Sequence, residues 1–213
     1  MDPKDDCRPR GRRRRGAAAA CALAVAGLLG TFLPAAALVI LHAAPSWTGG
    51  RAPDGSADRP FTDLAQAVAV AGALSHREAT REPGAGGVVL RLAPGEYVLT
   101  PHPEIEPTCG NCLDPDTAVP FTLGLRVSGR GVRLEGAPDG TTVIRTRSGY
   151  GILVQDCDEC ALSRVVVTGG VRDTSGLATD AAVVVQRSSV TIEECVVRDN
   201  LGDSSAVAKT IVG

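Results

Sequence analysis

Two C-x-x-C pairs, Cys109/Cys112 and Cys157/Cys160, are the residues of this 213-residue sequence whose type and spacing point most directly to chemistry. That spacing suits a locally closed disulfide, or one half of a tetrahedral zinc site whose other half is the second pair. Acidic side chains form the second set: Asp173 and Asp180 lie in GGVRDTSGLATDA, and Asp199, Asn200 and Asp203 in RDNLGDSS. Oxygen ligands offered by several loops are what Ca2+ requires, whereas Asp, Asn and Gly also accumulate wherever a chain must turn. Nucleophilic chemistry is poorly served. His42 falls in an apolar leader, and His76 and His102 fall in polar or Pro-rich loops, so no base stands beside a nucleophile. No glycine-rich phosphate cradle follows a strand and opens a helix.

The compartment decides between thiol, metal and disulfide. KDDCRPRGRRRR is a basic start, followed from Gly16 to Ala44 by a run without Asp, Glu, Lys or Arg. This pattern reads as a signal peptide or membrane anchor over residues 1–44, with small-residue cleavage positions near Ala37 and at His42-Ala43-Ala44. The remainder is expected to be exported, either secreted or held at the cell envelope through residues 16–44. In an exported chain the two pairs are expected as disulfides, Cys109 with Cys112 and Cys157 with Cys160, with free thiols and metal as the alternatives. Removing the leader takes away seven basic and three acidic residues, leaving 22 − 7 = 15 basic and 24 − 3 = 21 acidic, a net charge of −6. Such a balance offers nucleic acid no electrostatic footing.

Positioning these residues falls to elements built from small aliphatic side chains, since aromatics make up only 3% of the sequence. Residues 45–60 read as a Gly/Pro/Asp-rich linker or entry loop. PFTDLAQAVAVAGAL predicts a helix with Phe61, Leu64, Val68 and Ala71 on one stripe, Thr62 as N-cap and Asp63 at the positive end of the dipole. SHREATREPGAGG then reads as loop, and VVLRLAPGEYVL as a strand with Val88, Leu90 and Leu92 on one face before a Pro94-Gly95 turn. Residues 100–120, with five prolines and the CGNC motif, read as a stapled loop.

Three segments superpose: LGLRV (123–127), YGILV (150–154) and AAVVV (181–185). Each carries an apolar pair (Leu125/Val127, Ile152/Val154, Val183/Val185), a polar corner, and a second pair (Val132/Leu134, Cys160/Leu162, Val190/Ile192). The last two copies add Val165/Val167 and Cys195/Val197, which puts Cys195 at an inward position as an inert thiol. The offset of roughly 27 to 31 residues lies in the range of stacked repeat architectures, in which one repeat buries its apolar face only against the next.

On those segments, together with DGSADRPFTDLAQAVAVA…VVLRLAPGEYVL, VRLEGAPDGTTVI and VTIEECVVRDN, the chain from about Pro53 to Gly213 resembles the right-handed parallel β-helix family of the pectate-lyase type. The resemblance implies an all-β solenoid over residues 61–213, an N-terminal capping helix, a separate hydrophobic leader helix, and a C-terminal end that stops short of a complete member. It implies a monomer if that end is capped. It further implies loops flanking a polysaccharide groove, with Asp173, Asp180, Asp199, Asn200 and Asp203 as Ca2+ ligands bridging to acidic sugars. For a lyase it implies an arginine base, for which Arg172 and Arg198 are the nearest candidates. Arg164 and Glu194, thirty residues apart, are expected as an exposed pair on neighbouring strands. No residue set compels catalysis. The functional expectation is therefore an exported protein that recognises extracellular polysaccharide, and cleaves it if a longer form completes a site. The alternative is a non-catalytic surface solenoid for adhesion or display.

Overall fold

The computed structural model describes residues 38–81, 87–109, 112–173, 178 and 180–200, with helix side chains described up to Arg77. The described residues are mostly β, with one helix among them. In order it runs β1 Val39–Ala43, α1 Leu64–Arg81, β2 Val88–Leu92, β3 Gly95–Val98, β4 His102–Glu106, β5 Val119–Arg130, β6 Val132–Glu135 and β7 Thr142–Arg145. Then follow β8 Tyr150–Asp158, β9 Cys160–Ser163, β10 Val166–Thr168, β11 Ala181–Gln186, β12 Val190–Glu193 and β13 Val196–Val197.

These strands make three sheets, ordered β1-β2-β6-β9-β12, β3-β7-β10-β13 and β4-β5-β8-β11. From β5 onward the chain visits the third sheet, then the first, then the second, and repeats that circuit, each strand from β6 on lying parallel to the one laid down before it in its sheet. The expected superposition is present in the register: Leu125 pairs with Ile152 and Ile152 with Val183, while Val127 pairs with Val154 and Val154 with Val185. In the first sheet one row runs Leu41, Leu90, Leu134, Leu162, Ile192 across five strands. In the second sheet Tyr97, Ile144, Val167 and Val197 align. The interior members of these rows are buried, and each such aliphatic side chain contributes ~1.5–3 kcal/mol relative to exposure. Ile192 and Val197, on last strands with no described neighbour beyond them, are about half exposed.

Corners between sheets require abrupt changes of direction, and left-handed backbone supplies them. Asp156 and Arg187 have positive φ at the same corner one circuit apart, as do Arg164 and Glu194, and Gly169 and Asp199. A non-glycine residue there costs roughly 1–2 kcal/mol, so the stacked neighbour must hold it. Arg187 does so directly, donating from Nε and Nη2 to the Asp156 carboxylate at 2.7 and 2.8 Å.

Several expectations are corrected. Residues 1–37 lie outside the described residues, and Val39–Ala43, read as the end of the leader, form β1, paired parallel to all of β2. The reason is burial, since Leu41 and Ala43 enter the core. Residues 45–60 form a folded entry loop, returning so that Phe61 N–H donates to His42 O and Ala44 N–H to Phe61 O, both at 2.9 Å. The stripe Phe61, Leu64, Val68, Ala71 is buried as expected, but Asp63 and not Thr62 caps α1, its Oδ1 accepting from Gln66 N–H at 3.1 Å. The helix also runs through Arg81 instead of ending near Leu74, because Ser75 is buried and accepts the Arg130 N–H at 3.1 Å, docking the helix on β5. The stretch 100–120 contains β4, antiparallel to β5 at a sheet edge, where Pro103 needs no ladder donor.

Candidate functional site

Asp173 and Asp180 act together as a pin. Asp173, nearly buried, accepts from the Thr122 N–H at 3.0 Å and the Thr122 hydroxyl at 2.6 Å, and its own N–H donates to Asp180 Oδ1 at 3.1 Å. Thr122 Oγ1 in turn accepts the Gly149 N–H at 2.8 Å. Gly149 must lack a side chain, because a Cβ would overlap both carboxylates. Burial, reinforced by the Asp173 charge, pushes the Asp180 carboxyl above the usual carboxylate range, against the hydrogen bond from Asp173 N–H and the Arg172 guanidinium. Arg172 Nε lies 3.7 Å from Asp180 Oδ2, so this cation already faces an anion.

The remaining loop residues do not join that pair. Asn200 spends its whole amide on backbone, Nδ2 donating to Val167 O and Arg198 O at 3.1 and 3.0 Å and Oδ1 accepting from Gly170 N–H at 2.9 Å. Arg198 and Asp199 form an exposed pair at 3.9 Å. Asp203 lies outside the described residues. Among the described residues no three Asp, Glu, His or Cys side chains form a group able to hold a metal ion.

Disulfides join Cys109 to Cys112 in the β4–β5 connection and Cys157 to Cys160 across the corner from the third sheet to the first. Cys195 is a free, partly buried thiol facing Leu162 O at 3.4 Å and Glu193 O at 3.3 Å. Arg164 meets Glu194 at 4.0 Å as expected, but its closer partner is Glu135 at 3.4 Å.

A groove of about 560 Å3 lies along the C-terminal ends of β1, β2 and β6, and sequence reasoning missed it. Its walls are small and apolar, from Ala43, Ala44, Ala57, Pro60, Ala93, Pro94, Ala137 and Pro138; its polar groups are His42, Arg91, Glu135 and Arg164. The register explains the assembly. His42 pairs with Arg91 and Arg91 with Glu135, so the three stand in one row on successive strands, about 4.8 Å per step. Arg164 reaches Glu135 from the corner after β9 and also donates from Nε to Gly136 O at 3.2 Å. Gly136 is obligatory, since a Cβ there would overlap the Arg164 carbonyl. Among the described residues neither the His42 nor the Arg91 side chain has a hydrogen-bond or ion-pair partner, whereas Glu135 is shared with Arg164. The groove thus offers one uncompensated guanidinium, one imidazole and one ion-paired carboxylate above a small-residue floor. The available signal was the alternation of VILHA, continuous with VVLRL, hidden by its position at the end of an apolar leader.

No protein family, curated protein or solved structure matches this chain.

The other histidines stand apart from this row. His76 is exposed on α1, and His102 contacts Glu104 at 2.9 Å. Glu104 also pairs with Arg126, while Glu106 accepts from Tyr150 Oη and Gln186 Nε2 at 2.9 and 2.7 Å. This second polar cluster satisfies itself and clamps β4 to the third sheet.

Proposed function

We propose that this chain is an exported right-handed parallel β-helix that recognises polysaccharide in the groove beside His42, Arg91, Glu135 and Arg164. Three sheets visited cyclically with parallel pairing support the helical coil, and parallel crossovers of this kind are right-handed in nearly all proteins. Two local disulfides support an oxidising compartment.

The observation that carries the recognition reading is the groove itself. Its volume falls within the range of ligand sites, a few hundred to 1,000 Å3 or about that. Alanine and proline walls suit the C–H face of a sugar ring, and the Arg91, His42 and Glu135 row suits hydroxyl and carboxylate substituents. Recognition is favoured over cleavage, because among the described residues Glu135 is committed to Arg164 and Arg172 to Asp180.

The test is binding and turnover over a panel of neutral and uronate polysaccharides, with and without Ca2+, followed by reducing-end release and unsaturated-product absorbance. Saturable binding that Arg91→Ala weakens at least tenfold supports the reading. Binding insensitive to Arg91→Ala and Glu135→Gln moves the ligand elsewhere, and absence of binding across the panel leaves the display role.

A further inference from the structure

The apolar leader offers two small-residue cleavage positions, one after Ala35-Ala36-Ala37 and one after His42-Ala43-Ala44. Fold chemistry separates them. Cleavage after Ala44 would remove β1 entirely, and with it the first member of the five-strand leucine row. Leu41 and Ala43 are buried in the core cluster. Backbone groups of β1 and its flank also have partners throughout the N-terminal layer. Val39 N–H donates to Gly87 O at 3.3 Å and His42 N–H to Gly55 O at 2.8 Å, while Ala43 O accepts from Ala93 N–H at 2.9 Å. The buried Tyr97 hydroxyl donates to the same Ala43 carbonyl at 2.9 Å. Loss of β1 would remove that hydroxyl's closer acceptor and leave it only Ala93 O at 3.2 Å, open the edge of β2 and delete His42 from the groove.

We propose that the leader is removed at the Ala37–Leu38 bond, so that the apolar run serves twice: its front part as the export signal and its last residues as the first strand. The inference rests on the export reading above. Ala35 and Ala37 supply the small residues that a signal-cleaving protease accepts on the leaving side of the bond. Water is the co-reactant; hydrolysis leaves a carboxylate on Ala37 and an ammonium on Leu38. Leu38 is half exposed, so the new charge remains in solvent one residue ahead of the first ladder donor, Val39. Because Val39 is already paired in the folded chain, the cut precedes docking of β1. Processing and folding then occur in a fixed order, and the mature domain carries no leader residue that its sheet does not use.

The experiment is expression of the full chain in an exporting cell, with intact mass and N-terminal sequencing of the exported product, beside Ala37→Asp and Ala44→Asp. The expected N-terminus is Leu38; Ala37→Asp accumulates the precursor and Ala44→Asp leaves the cleavage position unchanged. A mature N-terminus at Pro45, or precursor accumulation with Ala44→Asp alone, overturns the assignment while leaving export intact. An exported chain that keeps Met1 also overturns it, in favour of an anchor. A chain that never leaves the cytoplasm instead overturns the export reading on which the inference stands.

Discussion

Replacing Ile152 with alanine probes the stacked interior at its centre. Ile152 is fully buried between Leu125 on β5 and Val183 on β11. The change removes three carbons, worth about 0.8 kcal/mol each or about 2.4 kcal/mol together. The cavity left behind adds to this in proportion to how little the rows collapse, so Ile152→Ala is expected to cost between ~2.4 and ~5 kcal/mol. Val185→Ala is the matched control. It removes two carbons from a side chain 44% exposed on the last strand of the same sheet, and the expected cost is below about 1 kcal/mol. Urea unfolding of chain 38–213 followed by far-ultraviolet dichroism, without reductant, measures both. A cost for Ile152→Ala no larger than that for Val185→Ala would refute the assignment of Ile152 to an interior row.

Three further outcomes follow from the same geometry. Chain 45–213 is expected to be less stable than chain 38–213 by several kcal/mol, since Leu41 burial alone contributes ~1.5–3 kcal/mol; equal urea midpoints would remove β1 from the fold. The raised Asp180 carboxyl binds its proton more tightly in the folded chain, so its contribution to stability falls as pH rises from the ordinary carboxyl value through the raised one; Asp180→Asn, which keeps the acceptor for Asp173 N–H, is expected to flatten that fall, and an unchanged pH profile would contradict it. Unfolded, unreduced chain 38–213 is expected to show one reactive thiol, from Cys195, and five after reduction, each four-residue disulfide loop being worth about 2 kcal/mol; five thiols without reductant would reject both bridges.

The interior rows were legible in the sequence because two signals coincide there. Leu125/Val127, Ile152/Val154 and Val183/Val185 are apolar at alternate positions ahead of a polar corner, and they recur at a spacing near thirty. Elsewhere one of the two signals fails. VILHA has the composition of a strand and of a leader alike, and only its partner VVLRL tells them apart. Past Leu74 the helix turns polar, with His76 and Arg77 exposed, and what docks it there is buried Ser75 reaching Arg130. An edge strand such as β4 carries prolines and glutamates without penalty and looks like loop. Left-handed corners fall on Arg164, Arg187 and Glu194, types that carry no turn signal and are held by stacking. The site follows the same division. Asp173 and Asp180 were found as neighbours because both lie in one loop, but their role as a pin depends on Thr122, fifty-one residues before Asp173. His42, Arg91 and Glu135 meet only through the register of three strands, and assigning the first of them to the leader concealed the row.

The central claim is that residues one circuit apart lie side by side in parallel sheets. Methyl-labelled chain 38–213, with Ile, Leu and Val resolved by nuclear magnetic resonance, tests it through short-range cross-peaks. Cross-peaks from Ile152 to Leu125 and Val183, and from Leu162 to Leu134 and Ile192, are the predicted result. A folded chain in which Ile152 shows contacts only to sequence neighbours would contradict it.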